Sequence, residues 1–309
     1  MTHLVTVFGG GGFVGRYVVQ ALLKAGHRVR IAERSPKGAW FLKAQANLGQ
    51  IQFAAADVTQ AASVAKAVEG ATAAINLVGV FGAQMDAVQR GGAETVAKAA
   101  AAAGLGAFVH MSAIGADPQS ASAYGRSKGE GEAAVRAAFP HATILRPSIV
   151  FGREDQFVNR FAGLIRLSPV LPVIGGKTKF QPVHVGDVAH AVAAAIADPA
   201  QFGGKLFELG GPQILSMRQL NEWIAKAIGR KRLFIDVPDP IAGAMASATG
   251  WLPGAPITRD QWIMLQKDNV VSAGAQGLDA FGIEPVSLDV IARGWLDQYR
   301  IHGRFGAKS

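Results

Sequence analysis

Val7-Phe8-Gly9-Gly10-Gly11-Gly12-Phe13-Val14-Gly15 is the stretch on which the fold of this chain turns. An apolar run before it (Leu4, Val5, Val7, Phe8) reads as a buried strand, and the residues through Ala25 carry a helical pattern. Gly9, Gly12 and Gly15 fall at G-x-x-G-x-x-G spacing. Gly9 permits the tight turn, Gly12 lets a pyrophosphate approach the backbone, and Gly15 lets helix pack closely on strand. Phosphates would then meet a helix N-terminus, where free N–H groups and the helix dipole favour negative charge. Strand, glycine turn and helix in this order point to a dinucleotide site.

Outward from the turn, strand-like runs alternate with helical ones. Strands are expected at Arg28–Glu33, Ile51–Ala56, Ala73–Val78, Ala107–Met111 and Thr143–Leu145, with helices at 63–69, 87–103 and 123–138. That rhythm requires a parallel sheet covered on both faces, a doubly wound α/β dinucleotide fold. Beyond Pro147 it loosens, with a helical patch at 157–167, strand-then-helix at 183–197 and a strand at Leu206–Leu209. Helices are expected at 217–228, 240–249, 259–267 and 288–299. The expected organisation is a nucleotide domain at 1–150, completed by about 180–209, and a smaller, mainly helical lobe from 151–179 and 210–309.

Composition narrows the function class. Half of the 309 residues are hydrophobic and 17% are charged, as in an ordered globular protein. Zero cysteines exclude disulfides, thiolate nucleophiles and Cys-ligated metals, and no metal site is expected. Strand one begins almost at once, so no targeting peptide is expected, and no apolar run is long enough to span a bilayer. The expected setting is cytoplasmic, peripheral to the inner face of a membrane. The net charge is +9, with one tight cluster, Arg230-Lys231-Arg232. No nucleic-acid motif accompanies it, and no nucleic-acid partner is expected. Pro238–Pro256 is apolar at Ile241, Met245, Trp251 and Leu252. Beside those cations it reads either as a membrane or docking contact, or as a helix burying its own face in the lobe.

The nucleotide's ribose has two candidate partners. Glu33 could accept from a 2′-OH, favouring NAD(H), whereas a guanidinium at Arg34 could clamp a 2′-phosphate, favouring NADP(H). Strand alternation lets only one of them face the ribose. Asp57 is positioned either along the adenine, accepting from its amine, or as a cap for the next helix. Tyr124 and Lys128 lie at i and i+4, on one helical face. A nearby ammonium would lower the phenol pKa and let Tyr124 trade a proton with a carbonyl or alcohol.

Several motifs in order resemble the extended and atypical short-chain dehydrogenase/reductases: the glycine turn, Asp57-Val58, Asn76-Leu77-Val78-Gly79, Tyr124-Gly125-Arg126-Ser127-Lys128, Arg146-Pro147-Ser148-Ile149-Val150-Phe151-Gly152 and Val183-His184-Val185-Gly186-Asp187-Val188. Phe151-Gly152-Arg153-Glu154-Asp155-Gln156-Phe157, Thr258-Arg259-Asp260 and Asp268-Asn269-Val270 are similar to the nucleotide-binding accessory subunit of respiratory complex I and its bacterial relatives. The resemblance implies a bound NADP(H) with Arg34 and Ser35 at its 2′-phosphate. It implies further nucleotide contacts from Phe13, Val14, Val58, Leu77, Val78, Gly79, Met111, Pro147, Ser148 and Ile149, and from Tyr124 and Lys128. It also implies a structural nucleotide and a membrane-associated respiratory partner. The other expectation is a working reductase or epimerase on a small carbonyl or sugar-like substrate, with Tyr124 as acid, Lys128 as its electrostatic partner and Ser112 orienting the carbonyl. The family's catalytic hydroxyl aligns with Ala113, and loss of such a donor costs about two to three powers of ten in rate.

Overall fold

The computed structural model describes residues 4–252, 255, 257–291, 293–301 and 303. Residues 253, 254 and 256 of the Pro238–Pro256 segment, and Ala292 within 288–299, lie outside them. The chain divides into two units, one formed by Met1–Pro147, Val185–Leu209 and Ser272–Glu284, the other by Ser148–His184, Gly210–Val271 and Pro285–Ser309.

The first unit is a parallel sheet with helices on both faces. Its elements are β1 (Leu4–Phe8), α1 (Phe13–Lys24), β2 (Arg28–Glu33), β3 (Ile51–Ala55), α2 (Ala61–Val68), β4 (Ala73–Asn76), α3 (Ala93–Ala102), β5 (Ala107–Met111), α4 (Ala123–Ala138), β6 (Thr143–Pro147), α5 (Val185–Ala197) and β7 (Leu206–Leu209). The order of the seven strands is β7-β6-β5-β4-β1-β2-β3, every neighbouring pair parallel. The order in which strands are added reverses between β1 and β4, which leaves a crevice at their carboxyl ends. Because strand side chains alternate, Phe8, Ala32, Ala74 and Phe108 form one core with Val64, Val68, Val96, Ala97 and Val135 of α2, α3 and α4. On the other face α1 packs on α5. The run of alanines in α3 permits this close approach to the sheet.

Two expectations are corrected. Residues 87–103 do not form one regular helix, because Ala87–Gly92 is a π-turn that passes into α3. The extra residue per turn carries Gln89 into the interior, where it is buried. Residues 272–284, expected in the smaller lobe, pack in the first unit. The Ser272 N–H donates to the Glu208 carboxylate at 2.7 Å, and Phe281 stacks on Phe202 with ring centroids 4.5 Å apart.

The second unit has its own core, in which Phe151, Ile165, Leu171, Phe180, Leu220, Ile224 and Phe234 come together. Its helices include Val158–Leu167, Met217–Ala227, Asp239–Thr249 and Arg259–Met264. Between them lies a two-stranded parallel ribbon, Val170–Val173 with Leu233–Asp236. Among the described residues no helix is long and apolar enough to cross a membrane.

Candidate functional site

The site in the first unit starts at the β1–α1 turn. Gly9 adopts φ +82°, a left-handed conformation that disfavours side chains. The Gly12 N–H donates back to the Gly9 carbonyl at 3.1 Å, and Gly12 is the N-cap of α1. That cap has no side-chain hydrogen bond, and the first helical turn holds no acidic residue to occupy its free N–H groups. Phe13 and Val14 form this turn, half-buried. A Cβ at Gly15 would run into the Gly9 carbonyl oxygen and the Gly10 backbone. These features fit a pyrophosphate cradle.

At the end of β2, the Glu33 carboxylate accepts the Gly11 N–H at 2.7 Å and is drawn onto the turn. Arg34 and Ser35 are exposed. Asp57 is not the cap of α2, a place taken by Gln60. Its Oδ1 accepts from the Thr59 N–H and hydroxyl, at 2.9 and 2.7 Å. These bonds, and the Arg34 guanidinium nearby, hold the Asp57 carboxyl below the usual range. Val58 is buried, and the bare α-carbon of Gly92 leaves it room.

After β4, the Val78 N–H donates to the Asn76 side chain at 3.1 Å, which shapes Leu77-Val78-Gly79. A Cβ at Gly79 would lie 3.4 Å from Lys128 Nζ. Lys128 is buried and donates to the Met111 carbonyl at 3.2 Å. Burial lowers its ammonium to about 8, while the Glu132 carboxylate opposes that shift. Tyr124 is half-buried, with exposed Phe81 stacked on its ring at 4.9 Å. Contrary to the sequence expectation, burial pushes this phenol up to about 12 rather than toward phenolate. The loop that carries Phe81 is tied to α4: Gln89 Nε2 donates to the Val80 carbonyl at 2.5 Å, and the Ser127 hydroxyl donates to Gln89 Oε1 at 3.1 Å.

Beneath this surface lies a charge network that sequence reasoning missed. Arg146 of β6 grips Glu132 of α4 through two bonds of 2.8 Å and approaches Glu208 of β7 at 3.6 Å. The Ser112 hydroxyl donates to the same Glu132 carboxylate. With Lys128, two cations and two buried acids balance. The available signals were an acid four residues after Lys128 and an arginine in an otherwise apolar strand. His110 is buried nearby, its pKa lowered to about 3 by burial and then by Lys128. Its Nδ1 lies 3.4 Å from the Asn76 amide nitrogen, and Nε2 has no hydrogen-bond partner among the described residues.

Pro147 closes β6, its carbonyl accepting the Ile114 N–H at 3.1 Å. Ser148 and Ile149 belong to the second unit, where Ser148 Oγ contacts Asn269 Oδ1 at 2.7 Å. Among the described residues no group of His, Asp and Glu could hold a metal ion.

A seven-stranded parallel sheet with this turn defines an NAD(P)-binding Rossmann protein. The chain belongs to the NmrA-like family, whose model matches residues 1–245, an atypical branch of the short-chain dehydrogenase/reductases. It is 34% identical to NADH dehydrogenase [ubiquinone] 1 alpha subcomplex subunit 9, mitochondrial, of Arabidopsis thaliana, over 98% of this chain and 80% of that protein. It is 30% identical to the ceramide reductase of Caulobacter vibrioides, over 82% of this chain and 80% of the relative. The fold is similar to that of the NADPH-dependent quinone oxidoreductase QOR2 of Escherichia coli complexed with NADPH, with a TM-score of 0.75, 22% identity and coverage of 92% and 96% of the two chains.

Proposed function

We propose that this protein holds an NADP(H) that is chiefly structural and serves a membrane respiratory assembly or a quinone-linked pathway. The observation that carries the reading is the commitment of the Ser112 hydroxyl to Glu132, which Arg146 already grips. A hydroxyl held in a buried ion pair is a poor second donor to a developing alkoxide. The high Tyr124 pKa supports the same reading, because a phenol held near 12 gives up its proton reluctantly. With Glu33 drawn onto Gly11, the exposed Arg34 and Ser35 are the groups suited to a 2′-phosphate, so NADP(H) is the preferred dinucleotide. Bound nucleotide would supply hydride-transfer chemistry, and Lys128 would hold its ribose hydroxyls. The complex I subunit among the relatives supports the respiratory setting.

An active reductase is the second reading. It is favoured by Tyr124 and Lys128 lying on one face of α4 and by the ceramide reductase relative. Calorimetry with NADPH and NADH, followed by a carbonyl panel, tests both. Tight NADPH binding with negligible turnover supports the structural nucleotide. Turnover that Tyr124→Phe abolishes supports the reductase. Absence of binding by either dinucleotide overturns both.

A further inference from the structure

We propose that the second unit carries a docking face for an anionic lipid bilayer, built on the ribbon Val170–Val173/Leu233–Asp236. This extends the assembly reading above to a surface and rests on it for the membrane setting.

A parallel ribbon is ordinarily covered on both faces, so apolar side chains left exposed on one of them ask for a partner. Here Leu171, Val173 and Phe234 point into the core, yet the outward positions are also apolar. Leu233 pairs with Val170 and Ile235 with Pro172 across the ribbon. Leu233 is 59% exposed, Ile235 52% and Val170 42%, and Leu167, at the end of the preceding helix, is 77% exposed. Scattered exposed apolar residues need no explanation, but register-matched pairs on one face form a patch.

Charge indicates what covers the patch. From Gln156 through Phe180 the chain has four cations (Arg160, Arg166, Lys177, Lys179) and no acid. From Trp223 through Ile235 it has four more (Lys226, Arg230, Lys231, Arg232), again with no acid. These two segments supply the two ribbon strands up to Asp236, and their eight cations nearly equal the net +9 of the whole chain. Arg232 is fixed in place, donating to the Ile165 carbonyl at 2.7 Å. The acid at the ribbon's end, Asp236, is paired with Arg218 at 2.8 Å, a guanidinium that also holds Glu222 at 3.0 Å. Exposed aliphatic side chains carried on cation-rich segments suit the boundary between acyl chains and anionic headgroups. A protein partner is more often met by Trp, Tyr and Met anchors, which the ribbon lacks. The helix that follows, Asp239–Thr249, buries Ala242 and Ala246 but also exposes Ile241.

The test is co-sedimentation of the full-length protein with phosphatidylcholine vesicles, with and without about one third phosphatidylglycerol, at low salt and at about 0.5 M salt. Binding is expected only with the anionic lipid and weakens with salt. Leu233→Ser combined with Ile235→Ser lowers it about tenfold, and Lys231→Gln about fivefold. NADPH calorimetry on the same samples stays unchanged, since these side chains are exposed and lie outside the nucleotide unit. No sedimentation, equal binding to neutral vesicles, or variants that bind like the parent would overturn the proposal. So would a dimer in sedimentation velocity that the same variants dissociate, which assigns the face to a second copy. Vesicle binding by a protein that binds no dinucleotide sustains this inference and overturns the nucleotide reading alone.

Discussion

The two ends of the candidate site are built on opposite principles. The glycine turn works by leaving out side chains, so that its backbone is open to close approach, and its anionic neighbour is the Glu33 carboxylate on the Gly11 N–H. The Tyr124–Lys128 end stands over four charged side chains that satisfy one another inside the protein. The first arrangement is open to a ligand. The second is closed on itself, and its hydroxyl and carboxylates are engaged before any substrate arrives. Under the proposed function, binding and chemistry are separable in this fold.

The sharpest way to break that contrast is Arg146→Met. It leaves Glu132 and Glu208 buried without their shared cation, and loss of one partner of a buried pair costs about 3–5 kcal/mol. Urea unfolding should register this loss. A change below about 1 kcal/mol would mean that the network is ornamental. The second test uses pH. The folded-state pKa of Lys128, about 8, lies below its unfolded value, so between about pH 8 and 10.5 the unfolded chain binds more protons and this group makes stability rise with pH. Below that window the buried ammonium costs up to about 3 kcal/mol. Lys128→Met should therefore flatten the rise in the urea midpoint across the window, and an unchanged slope would place the titration elsewhere. The smallest effect belongs to the open end. Arg34→Ala should weaken NADPH about tenfold to thirtyfold and leave NADH nearly unchanged, read by calorimetry. Equal loss of both would remove Arg34 from the 2′-phosphate.

The open end was legible in the sequence because its information is local. Gly9, Gly12 and Gly15 lie within seven residues, and their spacing follows from the geometry of one turn. The alternating strands through Met111 were legible for the same reason. The closed end was not, because Ser112, Glu132, Arg146 and Glu208 are far apart in the chain and meet only when β5, β6 and β7 align. The π-turn at Ala87–Gly92 was hidden by alanine and glycine, which fit a regular helix equally well. The rise in the Tyr124 pKa comes from burial, which i,i+4 spacing from a lysine does not reveal.

The return of residues 272–284 to the first unit bears on how the protein is made. The nucleotide fold begins at Leu4, yet the Ser272 N–H that binds Glu208 and the Phe281 ring that stacks on Phe202 reach the ribosomal exit after most of the chain. The first unit therefore remains unfinished while the second is being synthesised, with the Glu208 end of the charge network short of one donor and Phe202 and Phe207 lacking their cover. Contacts this distant in sequence are slow to close. A chain stopped at Val271 would present this half-built edge permanently, and quality control would meet it as exposed aromatic surface.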